Sequence, residues 1–151
     1  MTEFRNITDV LDFAIGEEQA AMDFYLHLAD SAKQEEMKKV FREFAGEEMT
    51  HKAKLLEVKI HGIRAFGSEK VTEMHLSDYL VEVKPKSDLS YEEALIVAMK
   101  KEKAAFRLYS SLAARVQDQG IRDLFLSLAM EESKHKLRFE IEYDEYILRE
   151  N

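Results

Sequence analysis

The sequence contains no cysteine, which excludes disulfides, thiolate zinc sites and cysteine-ligated iron. It has one proline and five glycines in 151 residues, too few for a protein built from many tight turns. Its richness in Ala, Leu, Glu, Lys and Met favours long helices instead. A basic balance is also missing. Twenty-two Lys and Arg stand against 30 Asp and Glu, a net charge of -8, so neither nucleic acid nor an anionic membrane finds the positive stripe it needs. No run approaches the ~18 apolar residues of a membrane span, and the first residues, MTEFRNITDV, carry acidic groups with no apolar signal core. The expectation is one soluble, cytoplasmic domain over residues 1–151, long enough to bury a real core.

What is present is an internal repeat. Shifted by 84 residues, LDFAIGEEQAAMDFYLHLA (11–29) lies over LIVAMKKEKAAFRLYSSLA (95–113). The same shift lays VFREFAGEEMTHK (40–52) over LFLSLAMEESKHK (124–136) without a gap. Each half reads as two amphipathic helices. Leu11, Ala14, Ile15, Ala21, Met22, Tyr25 and Leu28 recur at the spacing of one buried helical face. Leu95, Met99, Phe106, Tyr109 and Leu112 do the same in the second half.

The helices are expected at 7–31, 35–61, 90–116 and 120–148, the third opened by a capping box, Ser90 with Glu93. Short turns make each pair an antiparallel hairpin. The longer connection, 62–89, holds the only proline, Pro85, and can climb a bundle ~40 Å long. Some helix is expected in it around Val71–Val83. The fold class is therefore all-α, a four-helix bundle of two pseudo-symmetric hairpins joined by a long crossover.

The apolar stripes are interrupted in a regular way. Glu18 interrupts the first helix and Glu102 the third; Glu48 with His51 interrupts the second, and Glu132 with His135 the fourth. A Glu-x-x-His pair places both side chains on one helix face, about one turn apart. Glu18 and Glu48 are each about 15 residues from the turn between them, roughly 22 Å along each helix. Glu102 and Glu132 repeat that relation, so four Glu and two His meet at mid-height. Each buried, unpaired carboxylate costs several kcal/mol and like charges make it worse. No Lys or Arg stands at that level, and two divalent cations would balance the four carboxylates. A lone Glu-x-x-His means little among 21 Glu. Two copies with matched upstream Glu and one shared offset are not coincidence of that kind.

These residues carry a resemblance that covers nearly the whole chain. GEEQAAMDFY and KKEKAAFRLY, with EEMTH and EESKH, resemble the rubrerythrin branch of the ferritin-like di-iron carboxylate family. Such bundles draw one Glu from each of two helices and a Glu-x-x-His from each of the other two. The resemblance implies two iron ions per chain, with manganese the alternative. It implies Glu18 and Glu102 as terminal ligands, Glu48 and Glu132 as bridging ligands, and His51 and His135 as the remaining donors. Rubrerythrins append a cysteine-ligated iron domain, for which this sequence has no cysteine. They also carry an extra Glu three residues after the third-helix ligand, where this chain has Ala105.

Other residues are weighed against blander roles. Tyr25 and Tyr109, two turns from Glu18 and Glu102, either donate to ligand carboxylates or are core aromatics with some other partner; the repeat favours the first. Ala21 and Ala105 either leave a void over the metals or permit close packing. Glu17, Glu47 and Glu131 point about 100° from the ligands beside them and stand outside the site. His27, His61 and His75 read as surface residues, the seven Met as core filler, and the runs KQEEMKK and EYDEY as solvated faces.

Oxygen and imidazole donors suit iron or manganese. The expected function is redox chemistry on hydrogen peroxide or O2, foremost reductive peroxide scavenging with electrons from a separate donor protein. Iron storage with ferroxidase activity is the alternative. A homo-oligomer is expected, with a dimer favoured.

Overall fold

The computed structural model describes residues 4, 6–62, 74–81 and 89–150. Four long helices account for most of them: α1 (Ile7–Ser31), α2 (Glu35–Glu57), α3 (Tyr91–Arg115) and α4 (Gln119–Glu150). Local chemistry sets their starts. Asn6 caps α1 by accepting from the Asp9 amide at 3.0 Å. Ser90 and Glu93 form the reciprocal capping box of α3, each bond 3.1 Å, which puts the first helical residue at Tyr91. The Asp118 carboxylate accepts from the Ile121 amide at 2.9 Å at the start of α4. α2 keeps α geometry only to Glu57 and then widens into a π turn, Val58–Gly62. A Cβ on Gly62 would come within 2.8 Å of Ile121 Cδ1, so any larger residue there would displace that side chain.

α1 packs along α2 and α3 along α4, so the expected hairpins are present. Their buried faces form two apolar clusters rather than one. Leu11, Leu55, Leu112, Phe125 and Leu128 belong to the first; Leu28, Phe41, Leu95 and Phe139 belong to the second. Along every helix the interrupting Glu or Glu-x-x-His falls between the residues of the two clusters. The polar residues are thus a layer between two dry cores.

Three expectations change. The connection shows a 3-10 turn, Leu76–Asp78, in place of a helix; 71–73 and 82–83 lie outside the described residues. Met37 and Met74 are buried, but Met49 and Met130 are 57% and 61% exposed, so the methionines are not all core filler. The run 142–146 is not a purely solvated face. Glu142 is 1% exposed because this stretch of α4 still lies against the start of α3. Tyr91 donates its hydroxyl to it at 2.8 Å, and the Arg149 guanidinium lies 3.0 Å away. Among the described residues, no helix is long and apolar enough to cross a membrane.

Candidate metal centre

The bundle brings all six predicted ligands together. Glu18, Glu48, His51, Glu102, Glu132 and His135 are each at most 2% exposed. They fall into two overlapping sets, Glu18–Glu48–His51–Glu132 and Glu48–Glu102–Glu132–His135, each with its donor atoms within 4.8 Å of one another. Glu48 and Glu132 belong to both sets, the position of carboxylates shared by two ions. His51 Nδ1 lies 3.0 Å from Glu18 and 3.4 Å from Glu132. His135 Nδ1 lies 3.2 Å from Glu48 and 3.6 Å from Glu102. Each imidazole therefore turns Nδ1 inward and Nε2 outward.

The inward atoms are close without being bonded. Among the described residues, eight buried side-chain polar atoms have no hydrogen-bond partner, and all eight belong to these six residues: both oxygens of Glu48, both nitrogens of His51, and one atom each of Glu18, Glu102, Glu132 and His135. A folded core leaves such atoms orphaned only at a cost of about 1–3 kcal/mol each. Hard oxygen donors with imidazole, gathered in two sets, fit two divalent first-row ions.

Titration behaviour reflects the same crowding. Burial, then the charge of Glu48, pushes the Glu18 carboxyl well up. Burial, then Glu102 and Glu18, does the same to Glu132. Glu102 rises to about 7, burial and Glu48 prevailing over His135 and Tyr25. Glu48 alone falls, to about 2: burial would raise it, but the polar atoms of His135, Glu132 and Glu18 crowded against it, with His51, prevail. The carboxylates of Glu102 and Glu48 hold His135 up at about 10 against its burial. Like charges in a dry site cannot all ionise, and bound cations reverse that preference.

Two residues set aside in the sequence contribute. His135 Nε2 is hydrogen-bonded to Glu47 Oε2 at 3.1 Å, and His51 Nε2 lies 3.3 Å from Glu131 Oε1. The rotation of about 100° from the neighbouring ligand does carry these side chains off the shared layer, but it points them at the adjacent helix rather than at water. Glu47 on α2 reaches the histidine of α4, and Glu131 on α4 reaches the histidine of α2. A carboxylate on the outer nitrogen orients the ring and leaves Nδ1 free to take a metal ion. The signal was in the repeat: 47 and 131 differ by the same 84 residues as the ligands.

Tyr25 donates its hydroxyl to Glu102 Oε1, across the bundle rather than to Glu18 on its own helix. Burial and then Glu102 push that hydroxyl's pKa well up, so it stays a donor. Tyr109 occupies the mirrored place, where burial and then Glu18 act on it in the same direction. Beside it, a pocket of about 30 Å³ reaches Glu18, Glu102, Ala21 and Ala105. One water centre needs ~10–15 Å³ on this measure, so the space admits a molecule of two or three heavy atoms. Glu17 and Lys101, themselves related by the repeat, line the same pocket. His27, His61 and His75 belong to neither donor set.

A profile of the rubrerythrin family, described as Rubrerythrin, matches residues 9–143. The bundle superposes on a crystal structure from Thermotoga maritima reported as a candidate ferritin-like diiron-carboxylate protein, with TM-score 0.82 and 20% sequence identity over 97% of this chain and 99% of that one. A comparison with curated proteins gave no match. The match spans both hairpins and all six buried donors: the chain belongs to the rubrerythrin family.

Proposed function

We propose that this protein is a di-iron oxidoreductase that reduces hydrogen peroxide, with electrons from a separate donor protein and a homodimer as the working assembly. The observation that carries the reading is the pocket of about 30 Å³ against the donor cluster. Peroxide and O2 fit it, and an organic substrate to be hydroxylated does not. Glu18, His51, Glu102 and His135, with Glu48 and Glu132 shared, would hold the ions. Two iron ions bound there would supply the electron pair needed to cleave an O–O bond. The chain's own part is positional. Glu47 and Glu131 orient the histidines, Tyr25 holds Glu102, Ala21 and Ala105 leave room for the oxidant, and the two apolar cores exclude bulk water.

The alternative, iron storage with ferroxidase activity, shares the donors and differs in the fate of the oxidised iron. Anaerobically loaded ferrous protein mixed with hydrogen peroxide or O2 separates them. A scavenger is oxidised faster by peroxide and turns over when reductant is supplied. Iron accumulating far beyond two ions per chain, in an assembly much heavier than a dimer and with no preference for peroxide, would make storage the correct reading.

A further inference from the structure

A line of aromatic rings leads from the metal centre to one end of the bundle. Tyr25, whose hydroxyl is on Glu102, has its ring centre 5.3 Å from Phe139. Phe139 lies 5.9 Å from Phe41, Phe41 lies 6.2 Å from Tyr91, and Tyr91 lies 5.0 Å from Tyr146. Tyr25, Phe139 and Phe41 share one level, each seven residues from the Glu18, Glu132 or Glu48 of its own helix, and the line then climbs through Tyr91 to Tyr146. Tyr25 is seven residues past Glu18, Tyr91 eleven before Glu102 and Tyr146 fourteen past Glu132, which sets them ~10, ~16 and ~21 Å from the metal level. The line ends at a surface pocket of about 230 Å³ lined by Tyr91, Tyr146, Glu142, Arg149 and Lys33.

A tyrosine can give up an electron readily only if its phenolic proton has somewhere to go. Tyr91 has such a place in Glu142, a carboxylate 1% exposed and 2.8 Å from its hydroxyl. Burial and that carboxylate also raise the hydroxyl's pKa, so the ring stays a neutral phenol until it is oxidised. The repeat supplies an internal control. The residues 84 positions before Tyr91, Phe139, Glu142 and Tyr146 are Ile7, Leu55, Val58 and Gly62. The other hairpin fills the equivalent places without an aromatic ring or a carboxylate, so packing alone does not call for them.

We infer that Tyr91, with Glu142 as its proton acceptor, and Tyr146 form a relay that carries oxidising equivalents from the metal centre, by way of Tyr25, to a one-electron donor at the surface pocket. Tyr91 loses one electron toward the centre and passes its O–H proton to Glu142. The resulting radical takes an electron directly from the donor, or from Tyr146, whose own phenolic proton leaves to solvent at the surface pocket and is regained when the donor reduces it; Glu142 then returns its proton to Tyr91. Two such cycles, with two protons from solvent, supply what one peroxide needs to become two waters. The inference rests on the peroxide reading above.

The test is freeze-quench electron paramagnetic resonance on iron-loaded protein mixed with hydrogen peroxide, with ferric absorbance followed in parallel. Wild type is expected to show a tyrosyl signal that ascorbate quenches. Tyr91→Phe, which keeps the ring and the packing, is expected to lose the ascorbate-accessible signal while keeping its iron. Tyr146→Phe is expected to slow the quenching, and Glu142→Gln, which cannot take a proton, to delay the Tyr91 signal. A structural latch between Tyr91 and Glu142 would instead alter only the melting temperature. If ferric absorbance develops but the radical and its quenching are the same in wild type and Tyr91→Phe, the relay is wrong and the peroxide reading stands. If peroxide never oxidises the iron, the peroxide reading fails and the relay falls with it.

Discussion

Replacing Glu47 by Gln keeps the shape of the side chain and removes its charge from the outer nitrogen of His135, 3.1 Å away. In metal-free protein this changes little, because the Glu47 side chain is 45% exposed and such pairs contribute about 0–1 kcal/mol. With metal bound the effect is larger. Carboxylates behind a ligating histidine typically contribute about 10- to 100-fold in affinity. A tenfold loss, with metal in excess of its dissociation constant, removes about 1.4 kcal/mol of the stabilisation that metal confers on the folded state. For a chain of this length that is about 3–6 °C in melting temperature, and a hundredfold loss doubles it. The assay is calorimetry of wild type and Glu47→Gln, each with chelator and with excess metal. The metal-dependent increment should shrink while the chelated midpoints stay close. Glu131→Gln should act the same way but less, since its oxygen is 3.3 Å from His51 without an aligned hydrogen bond. Equal increments in wild type and Glu47→Gln would show that the outer carboxylate does not support the ligand, and the reasoning from orientation would be refuted.

Two further outcomes are expected. Glu102 has its folded pKa raised to about 7, so its stabilising contribution is complete below the ordinary value of 4.5 and is lost as pH rises through about 7. Chelated wild type should therefore lose stability relative to chelated Glu102→Gln between those limits, and excess metal should reverse the trend as ligands deprotonate; melting curves across that range check it, and a chelated wild type that gains on the variant would contradict the assignment. Ala105→Leu fills the pocket beside the donors, so iron content should hold while oxidation by peroxide slows; unchanged stopped-flow rates would mean that peroxide enters elsewhere.

Much of this arrangement is legible in the sequence. The repeat and the 3.6-residue periodicity determine the hairpins. The charged breaks in those stripes mark the six residues that the structure buries together, because burial makes Glu18 or Glu132 costly unless something compensates it. Glu47, Glu131 and Glu142 are harder to find. Whether a residue 100° off a buried stripe faces water or a neighbouring helix depends on how the hairpins dock, which a one-helix pattern does not contain. The same limit hides Tyr25's choice of Glu102 over Glu18. The space at Gly62 is likewise set by a residue distant in sequence, Ile121.

The crossed pairs also bear on what a single chain permits that two separate hairpins would not. Each hairpin carries one lone Glu, one Glu-x-x-His pair and one outer carboxylate, which is half of a centre and no more. Glu47 serves the other hairpin's histidine, and Glu131 returns the contact. Two identical copies of one hairpin, docked about a two-fold axis, would assemble the whole set with each copy completing its twin. Joining the copies in one polypeptide frees the ends from that symmetry while the centre stays bound by it. The centre has matched halves, and the ends differ, with Tyr91, Glu142 and Tyr146 on one side and Ile7, Val58 and Gly62 on the other. A specialised end is something that a symmetric pair of hairpins could not possess on one side only.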